Sequence, residues 1–192
     1  MRFLLGLVAF LVLSSTAFAR DLSPEQRAAF DEALTKLQEA ALADDTDAYI
    51  DMMPPAYLDA TARLQGRTAE EVATAMKASS REGAETYGID IVSYSFQFDR
   101  IAGGDLVQGN GCYLVIPTVS VARLADGQDL VIAADTIAFL DGGGWYFVRL
   151  DSGREVALVQ SAYEELYGTP FKPGTSVLVP PRDNGGSEGT QQ

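Results

Sequence analysis

The chain has 192 residues, 14 Lys and Arg against 27 Asp and Glu, and a formal net charge of −13 at neutral pH. This charge repels phosphate backbones, so we expect no nucleic-acid partner. Histidine is absent and Cys112 is the single cysteine. Their scarcity excludes histidine-dependent catalysis, histidine-ligated metals, an intramolecular disulfide and multi-thiolate metal sites. We expect neither a metal centre nor a cofactor.

The first twenty residues, "MRFLLGLVAFLVLSSTAFAR", have the pattern of a secretory signal peptide. Arg2 gives a charged start, an apolar run follows, and Ala17-Phe18-Ala19 fits the small-x-small cleavage pattern. The apolar run is shorter than the about 20 residues that span a bilayer. We therefore expect cleavage after Ala19, a periplasmic or secreted product, and no stable membrane insertion after processing.

The next segment is predicted to be helical. Ser23 and Gln26 form a capping box around Pro24, and a helix follows to about Ala43. A short helical turn, "AYIDMM", ends at two prolines, and "AYLDATARLQG" continues as a helix. Thr68 and Glu71 open another helix, predicted to end near Gly83. The aspartates of "ADDTDAY" lack the glycine and distal glutamate of a calcium loop.

Period-two patterns then predict antiparallel strands. "IVSYSFQFD" alternates apolar and polar residues, and in "CYLVIPTVSVARL" the apolar phase shifts across Pro117, which indicates a bulge or a sheet edge. Asp126-Gly127 predicts a hairpin into "DLVIAADTIAFL". The glycines of "DGGGWYFVRL" feed a strand rather than a helix N-terminus, so 141–144 is predicted to be a hairpin turn and not a phosphate-binding loop.

A further helix is predicted after the last of these strands. Ser152 and Glu155 begin it, and it extends over residues 153–167, before Gly168 and Pro170. "TSVLVP" suggests a short extended segment, and the final polar, glycine-rich residues have the composition of a disordered tail. The predicted organisation is a signal peptide at 1–19, one α+β domain at 20–171, and an extended, disordered tail at 172–192.

Helices followed by antiparallel strands predict an α+β fold with the helices on one face of a curved sheet. This order, with "DAYIDMMPPAYLD" and the closing hairpin "TIAFLDGGGWYFVRLD", resembles the nuclear transport factor 2-like superfamily. That superfamily includes ketosteroid isomerase and SnoaL-like cyclases. The resemblance is to exported members with an added C-terminal helix. It implies a cone-shaped, cystatin-like roll with a pocket between the sheet and the first helices, used for catalysis, binding or dimerisation.

The pocket implied by this resemblance would be lined by aromatic and polar side chains from several elements. The candidate lining residues are Tyr49, Tyr57, Tyr94, Tyr113, Trp145, Phe147 and Arg149. The tyrosines could supply hydroxyl groups, although as amphipathic core residues they need no such role.

Asp135 is the candidate catalytic residue. It alternates with Val131, Ala133, Ile137 and Phe139, so we expect it to be mostly buried in the concave half of the sheet. A buried carboxylate needs a partner or takes up a proton. If Phe139 pairs with Trp145 across the hairpin, Asp135 faces Arg149; a slip of one residue pairs Phe139 with Tyr146 and sets Asp135 against Leu150. We expect a bond to Arg149 or to a tyrosine hydroxyl, with a structural or a catalytic role.

Three functions follow from these patterns. The first is an exported, non-catalytic domain that binds a small apolar or amphipathic ligand, or a protein partner, through the pocket. The second is a lyase or isomerase in which Asp135 is the general base and a tyrosine the acid or oxyanion donor. The third is a structural homodimer that packs through an apolar sheet face.

Overall fold

A computed structural model describes residues 22–106 and 111–180 of the chain. The predicted signal peptide and the final predicted tail residues, 181–192, lie outside the described residues, so export and cleavage stay predictions. In the described part, no helix combines the length and the apolar composition that a membrane span requires.

The protein is an α+β structure in which helices precede a strongly curled antiparallel sheet that forms a half-barrel. The helices are α1 Pro24–Leu42, α2 Thr46–Asp51, α3 Pro55–Gln65, α4 Ala69–Tyr87 and α5 Gly153–Ala162. The strands are β1 Asp90–Phe96, β2 Ala102–Asp105, β3 Cys112–Arg123, β4 Asp129–Asp141, β5 Gly144–Arg149 and β6 Thr175–Val179. The predicted fold class is confirmed. The predicted C-terminal helix is present, but it ends at Ala162 and not near residue 167.

Local capping chemistry sets the starts of the long helices. Ser23 and Gln26 cap α1 reciprocally, and Thr68 and Glu71 do the same for α4. The predicted end of α4 at Gly83 is wrong, because a single glycine inside a helix costs only about 1 kcal/mol. The helix continues to Tyr87 and ends at Gly88, whose φ of 56° gives the left-handed C-cap.

The sheet has the strand order β1-β3-β4-β5, with β2 also paired to β3 and β6 also paired to β4. Pro117 lies in β3 between the segment that pairs with β2 and the segment that pairs with β1. Its carbonyl accepts a hydrogen bond from the backbone of Gln97 at 2.8 Å. The register with β4 is unbroken at Pro117, so the predicted bulge is wrong. Because β3 has neighbours on both sides, Pro117 does not lie at a sheet edge either.

Alternating residues give the sheet two faces. One, the α1 face, packs Cys112, Leu114, Ile116, Ala138, Leu140, Trp145 and Phe147 against Phe30, Leu34 and Leu37 of α1. The other, the α5 face, packs Ile137, Phe139 and Val148 against Tyr57 of α3 and Leu158, Val159 and Tyr163 at α5 and its C-cap. The sheet is therefore buried from both sides at this end.

The α5 face becomes exposed towards the far end of β4. Ala133 is exposed, and Val177 of β6, which pairs with Val131, is 63% exposed. The segment "TSVLVP", expected to be extended, thus forms a strand with uncovered apolar side chains. Homodimerisation through the sheet stays a prediction.

The β4–β5 connection is a two-residue hairpin. Asp141 pairs with Gly144, and Gly142 and Gly143 have φ values of 55° and 86°. Two consecutive positive φ values are the geometry of a type I′ turn, whose twist matches that of the paired strands. The glycines that precede Trp145 therefore make a turn, as predicted.

Replacing Gly143 by alanine should lower the free energy of unfolding by about 1 kcal/mol, because a Cβ atom strains a left-handed residue. No atom lies near the position that the Cβ would take, so the loss would come from backbone strain alone. Chemical denaturation measures the effect. Gly153→Ala at the start of α5, where φ is not positive, is the matched control and should be neutral. Equal stability of the two variants would contradict the turn assignment.

Candidate functional site

A cavity of about 280 Å³ lies between the first two helices and the α1 face of the sheet. Its walls are formed by the end of α1, the link to α2, α2 itself, α4 at Ser80, β1 and the end of β5. Its apolar wall consists of Ala40, Ala41, Ile50 and Ile91, and its polar lining includes Asp44, Asp45, Thr46, Tyr49, Tyr94, Arg149 and Asp151. An apolar wall with a few convergent polar groups is typical of a small-ligand site.

Tyr94 is the most deeply buried polar residue of this lining. It is 4% exposed, it pairs with Ser120 across β1 and β3, and its backbone carbonyl accepts a hydrogen bond from Nε2 of Gln38 at 2.6 Å. Its side-chain hydroxyl, in contrast, is buried without a hydrogen-bond partner. Such an unmet group costs about 1–3 kcal/mol, and the Tyr163 hydroxyl, which lies away from the cavity, is unmet in the same way.

Arg149 provides the positive charge of the cavity. Nη1 donates to Oγ of Ser120 at 2.9 Å and Nη2 donates to the carbonyl of Ile132 at 3.2 Å. Nε is 3.0 Å from Oδ1 of Asp151, an ion-pair distance without hydrogen-bond geometry, so this N–H also lacks a true acceptor. The guanidinium carbon lies 5.5 Å from the centre of the Tyr94 ring, which is cation–π geometry.

The Arg149 and Asp151 charges differ in their contact with solvent. The Arg149 side chain is 9% exposed, whereas that of Asp151 is 53% exposed. Partial burial raises the pKa of the Asp151 carboxyl group, and the Arg149 charge counteracts that rise. The ion pair thus has its cation in the cavity and its anion at the rim.

Tyr49 approaches the same point from α2. Burial of its hydroxyl raises the pKa of Tyr49 well above its usual value, nearby Tyr94 raises it further, and Arg149 acts in the opposite direction. The Tyr49 and Tyr94 hydroxyls are therefore close neighbours, although the Tyr94 hydroxyl makes no hydrogen bond of normal geometry. Together with Arg149 they place several N–H and O–H donors around one end of the cavity.

The sheet beside these donors is unusually polar. Next to Ile116 and Ala138, the α1 face carries three buried polar residues with exposures of 0–1%: Thr118, Ser120 and Thr136. The hydroxyl groups of Thr118 and Thr136 are 2.8 Å apart and hydrogen-bonded, and Ser120 accepts from Arg149. These polar residues, rather than a bulge, account for the shift of apolar phase across Pro117.

The structure brings together three of the predicted pocket residues, Tyr49, Tyr94 and Arg149. Trp145 and Phe147 belong instead to the core beneath α1, where the Trp145 ring centre is 4.7 Å from that of Phe30. The Trp145 indole donates to the carbonyl of Gln26 at 3.3 Å. Their aromatic surface therefore stabilises the position of α1 and does not line the cavity.

Tyr57 and Tyr113 lie on the α5 face, away from the cavity. Burial raises the pKa of Tyr57 to about 12, with a smaller contribution from Glu155. The resemblance implies a pocket between sheet and helices, but the sequence alone cannot assign each tyrosine to a face of the sheet.

Asp135 also lies on the α5 face, so the expected Asp135–Arg149 bond is wrong. The observed register pairs Phe139 with Tyr146 and Thr136 with Arg149, which puts Asp135 and Arg149 on opposite faces. The expectation that Asp135 is mostly buried is also wrong, because it is only partly buried. Among the described residues its side chain makes no hydrogen bond, so the expected bond to a tyrosine hydroxyl is absent there. Partial burial raises the pKa of Asp135, and the Arg100 and Lys172 charges lower it. Asp135 does not line this cavity. Its role as a general base stays a prediction.

Sequence patterns missed Asp151, Ser120 and the aspartates before α2 as members of the site. The signal for Ser120 was present in the alternation of β3, where polar residues continue the buried phase of Leu114 and Ile116. Asp151 follows β5 and belongs to no periodic pattern in the sequence. Among the described residues, no group of three potential metal ligands is arranged to hold a metal ion.

No family model matches this chain, and no curated protein does. A similar solved structure is that of Aln2 from a Streptomyces species, with a TM-score of 0.45 and 14% sequence identity. The similarity covers 67% of this chain and 93% of Aln2.

Proposed function

We propose that this chain is an exported, non-catalytic member of the nuclear transport factor 2-like superfamily that binds a small ligand in the cavity beside α2. The superfamily assignment is supported by helices that precede a strongly curled sheet and by a cavity between them. Fold alone does not define a function, so the binding function depends on the cavity itself.

The observation that carries the binding function is the orphaned hydroxyl of Tyr94. It is buried beside the Arg149 guanidinium, whose Nε–H has no acceptor of good geometry. A ligand oxygen at this position would accept from both residues and remove the penalty of both unmet donors. The cavity volume of about 280 Å³ suits a ligand of modest size, since drug-sized ligands occupy about 300–1,000 Å³.

The proposed function predicts that protein purified from the cells that make it retains a small molecule. Native mass spectrometry should show a mass above that of the chain, which denaturing conditions remove. In Ala41→Phe a large side chain replaces a residue of the apolar wall, and the retained mass should be lost. Ala28→Phe on the exposed side of the same helix is the matched control and should keep it. Retention by Ala41→Phe would place the ligand elsewhere.

A further inference from the structure

The two ends of the cavity carry opposite chemistry. Its buried end presents hydrogen-bond donors from Tyr94 and Arg149, and its mouth presents the exposed carboxylates of Asp44 and Asp45. We propose that the cavity selects a small cationic amine that also carries a carbonyl-type oxygen. The oxygen lies at the buried donors and the ammonium group at the two aspartates. This inference rests on the proposed binding function and adds the class of ligand.

The buried end requires an acceptor. Tyr94 is more than nine-tenths buried with an unpartnered hydroxyl, and two N–H groups of Arg149 already serve Ser120 and Ile132. Nε of Arg149 is 3.0 Å from Oδ1 of Asp151 but makes no hydrogen bond. An oxygen with two lone pairs, such as that of an amide, ketone or carboxyl group, would accept from both Tyr94 and Arg149. A second cation at this end would face the Arg149 charge and is disfavoured.

The mouth excludes anions. Asp45 caps α2 through Ala48 with one carboxylate oxygen, which leaves the other oxygen available. Asp44 makes no ion pair among the described residues. A wider groove of about 510 Å³ outside the mouth shares both aspartates and adds Asp47 and Glu85, and its only positive charge, Arg81, is ion-paired with Asp47. The uncompensated carboxylates attract a cation and repel an anion on its way in.

The apolar wall determines what joins the two polar groups of the ligand. Ala41 and Ile50 line the cavity and offer it no hydrogen-bonding side-chain atoms. A short methylene chain between the ammonium group and the oxygen therefore fits this wall.

Three probes of equal length test the inference: 5-aminopentanamide, uncharged hexanamide, and anionic glutaramate. Each carries the same amide, and the far end is an ammonium, a methyl or a carboxylate group. Titrations followed by protein NMR at low ionic strength should show that 5-aminopentanamide binds about fivefold more tightly than hexanamide. Glutaramate should bind more weakly than both. Added salt should reduce these differences, because the aspartates at the mouth are exposed.

Two matched double variants test whether the aspartates at the mouth cause the preference for the amine. Asp44→Asn with Asp45→Asn should abolish the preference for the amine. Asparagine tolerates the positive φ of residue 44, which is 53°, and serves as an N-cap at residue 45, so folding is preserved. Asp31→Asn with Asp59→Asn makes the same change of charge at two residues outside the cavity and should keep the preference.

The outcomes separate the ligand class from the binding function. Equal affinities for the three probes, or tighter binding of glutaramate, would overturn the selection of amines. If Tyr94→Phe weakened all three equally under that outcome, the cavity would still be a binding site. Failure of the wild type to bind 5-aminopentanamide would also overturn the inference, and the ligand retained in native mass spectrometry would then decide the proposed function separately.

Discussion

Replacing Arg149 by methionine should lower the free energy of unfolding by about 2 kcal/mol, the effect of losing hydrogen bonds to a charged donor. Methionine keeps much of the side-chain volume, so the loss reports the guanidinium group rather than a void. The change removes the bonds to Ser120 and Ile132 and the contact with the Tyr94 ring. Arg123→Met is the matched control, because Arg123 pairs with Asp129 on the surface, and it should cost less than about 1 kcal/mol.

The loss of unfolding free energy in Arg149→Met should also depend on pH. Burial raises the pKa of Asp151 in the folded state, and Arg149 opposes that rise, so its removal raises the pKa further. A carboxyl group with a raised folded-state pKa binds its proton more tightly when folded, and stability therefore increases as pH falls through that pKa. The deficit should be largest near neutral pH and smaller in acid. A deficit that is constant with pH, or equal to that of Arg123→Met, would contradict the role assigned to the ion pair.

Removing the Tyr94 hydroxyl should have opposite effects on stability and on binding. In the ligand-free protein this hydroxyl is buried without a partner, so Tyr94→Phe should raise the free energy of unfolding by about 1 kcal/mol. The retained ligand should bind at least about tenfold more weakly, because an acceptor on the ligand would lose a buried donor. Few substitutions stabilise a fold while weakening its function, and those that do mark groups kept for function.

Tyr163→Phe is the matched control for this separation. The Tyr163 hydroxyl is also buried without a partner, but it lies on the α5 face, where its ring stacks on Phe139 at 4.2 Å. Its removal should likewise raise stability and should leave ligand retention unchanged. Loss of the ligand in both variants would indicate a general change of structure instead of a contact in the cavity.

Local chemistry made much of the architecture predictable from sequence. Capping boxes predicted the starts of α1 and α4, and glycine-containing turns predicted the hairpins. Each of these signals depends on residues only a few positions apart. The two-residue turn at Gly142 and Gly143 also determines the register of β4 with β5. Without the φ values of those glycines, two registers remained, and the wrong one places Asp135 beside Arg149.

The cavity was less predictable because its walls are distant in sequence. Tyr49, Tyr94 and Arg149 meet only when α2, β1 and the end of β5 converge. Tyrosine fits a core or a pocket equally well, so its identity did not separate Tyr57 from Tyr49. The buried polar residues Thr118, Ser120 and Thr136 left a local signal, the shift of the apolar phase along β3. Before the pairing of β3 with β4 was known, that shift suggested a bulge.

The most direct test of a cavity kept for a ligand is chemical denaturation of wild type and Tyr94→Phe, both freed of any bound molecule. If the Tyr94 hydroxyl serves only a ligand, the phenylalanine variant should unfold at a higher denaturant concentration with an unchanged slope. A lower midpoint for Tyr94→Phe would show that the hydroxyl makes a stabilising bond within the protein, and it would contradict the proposed binding site.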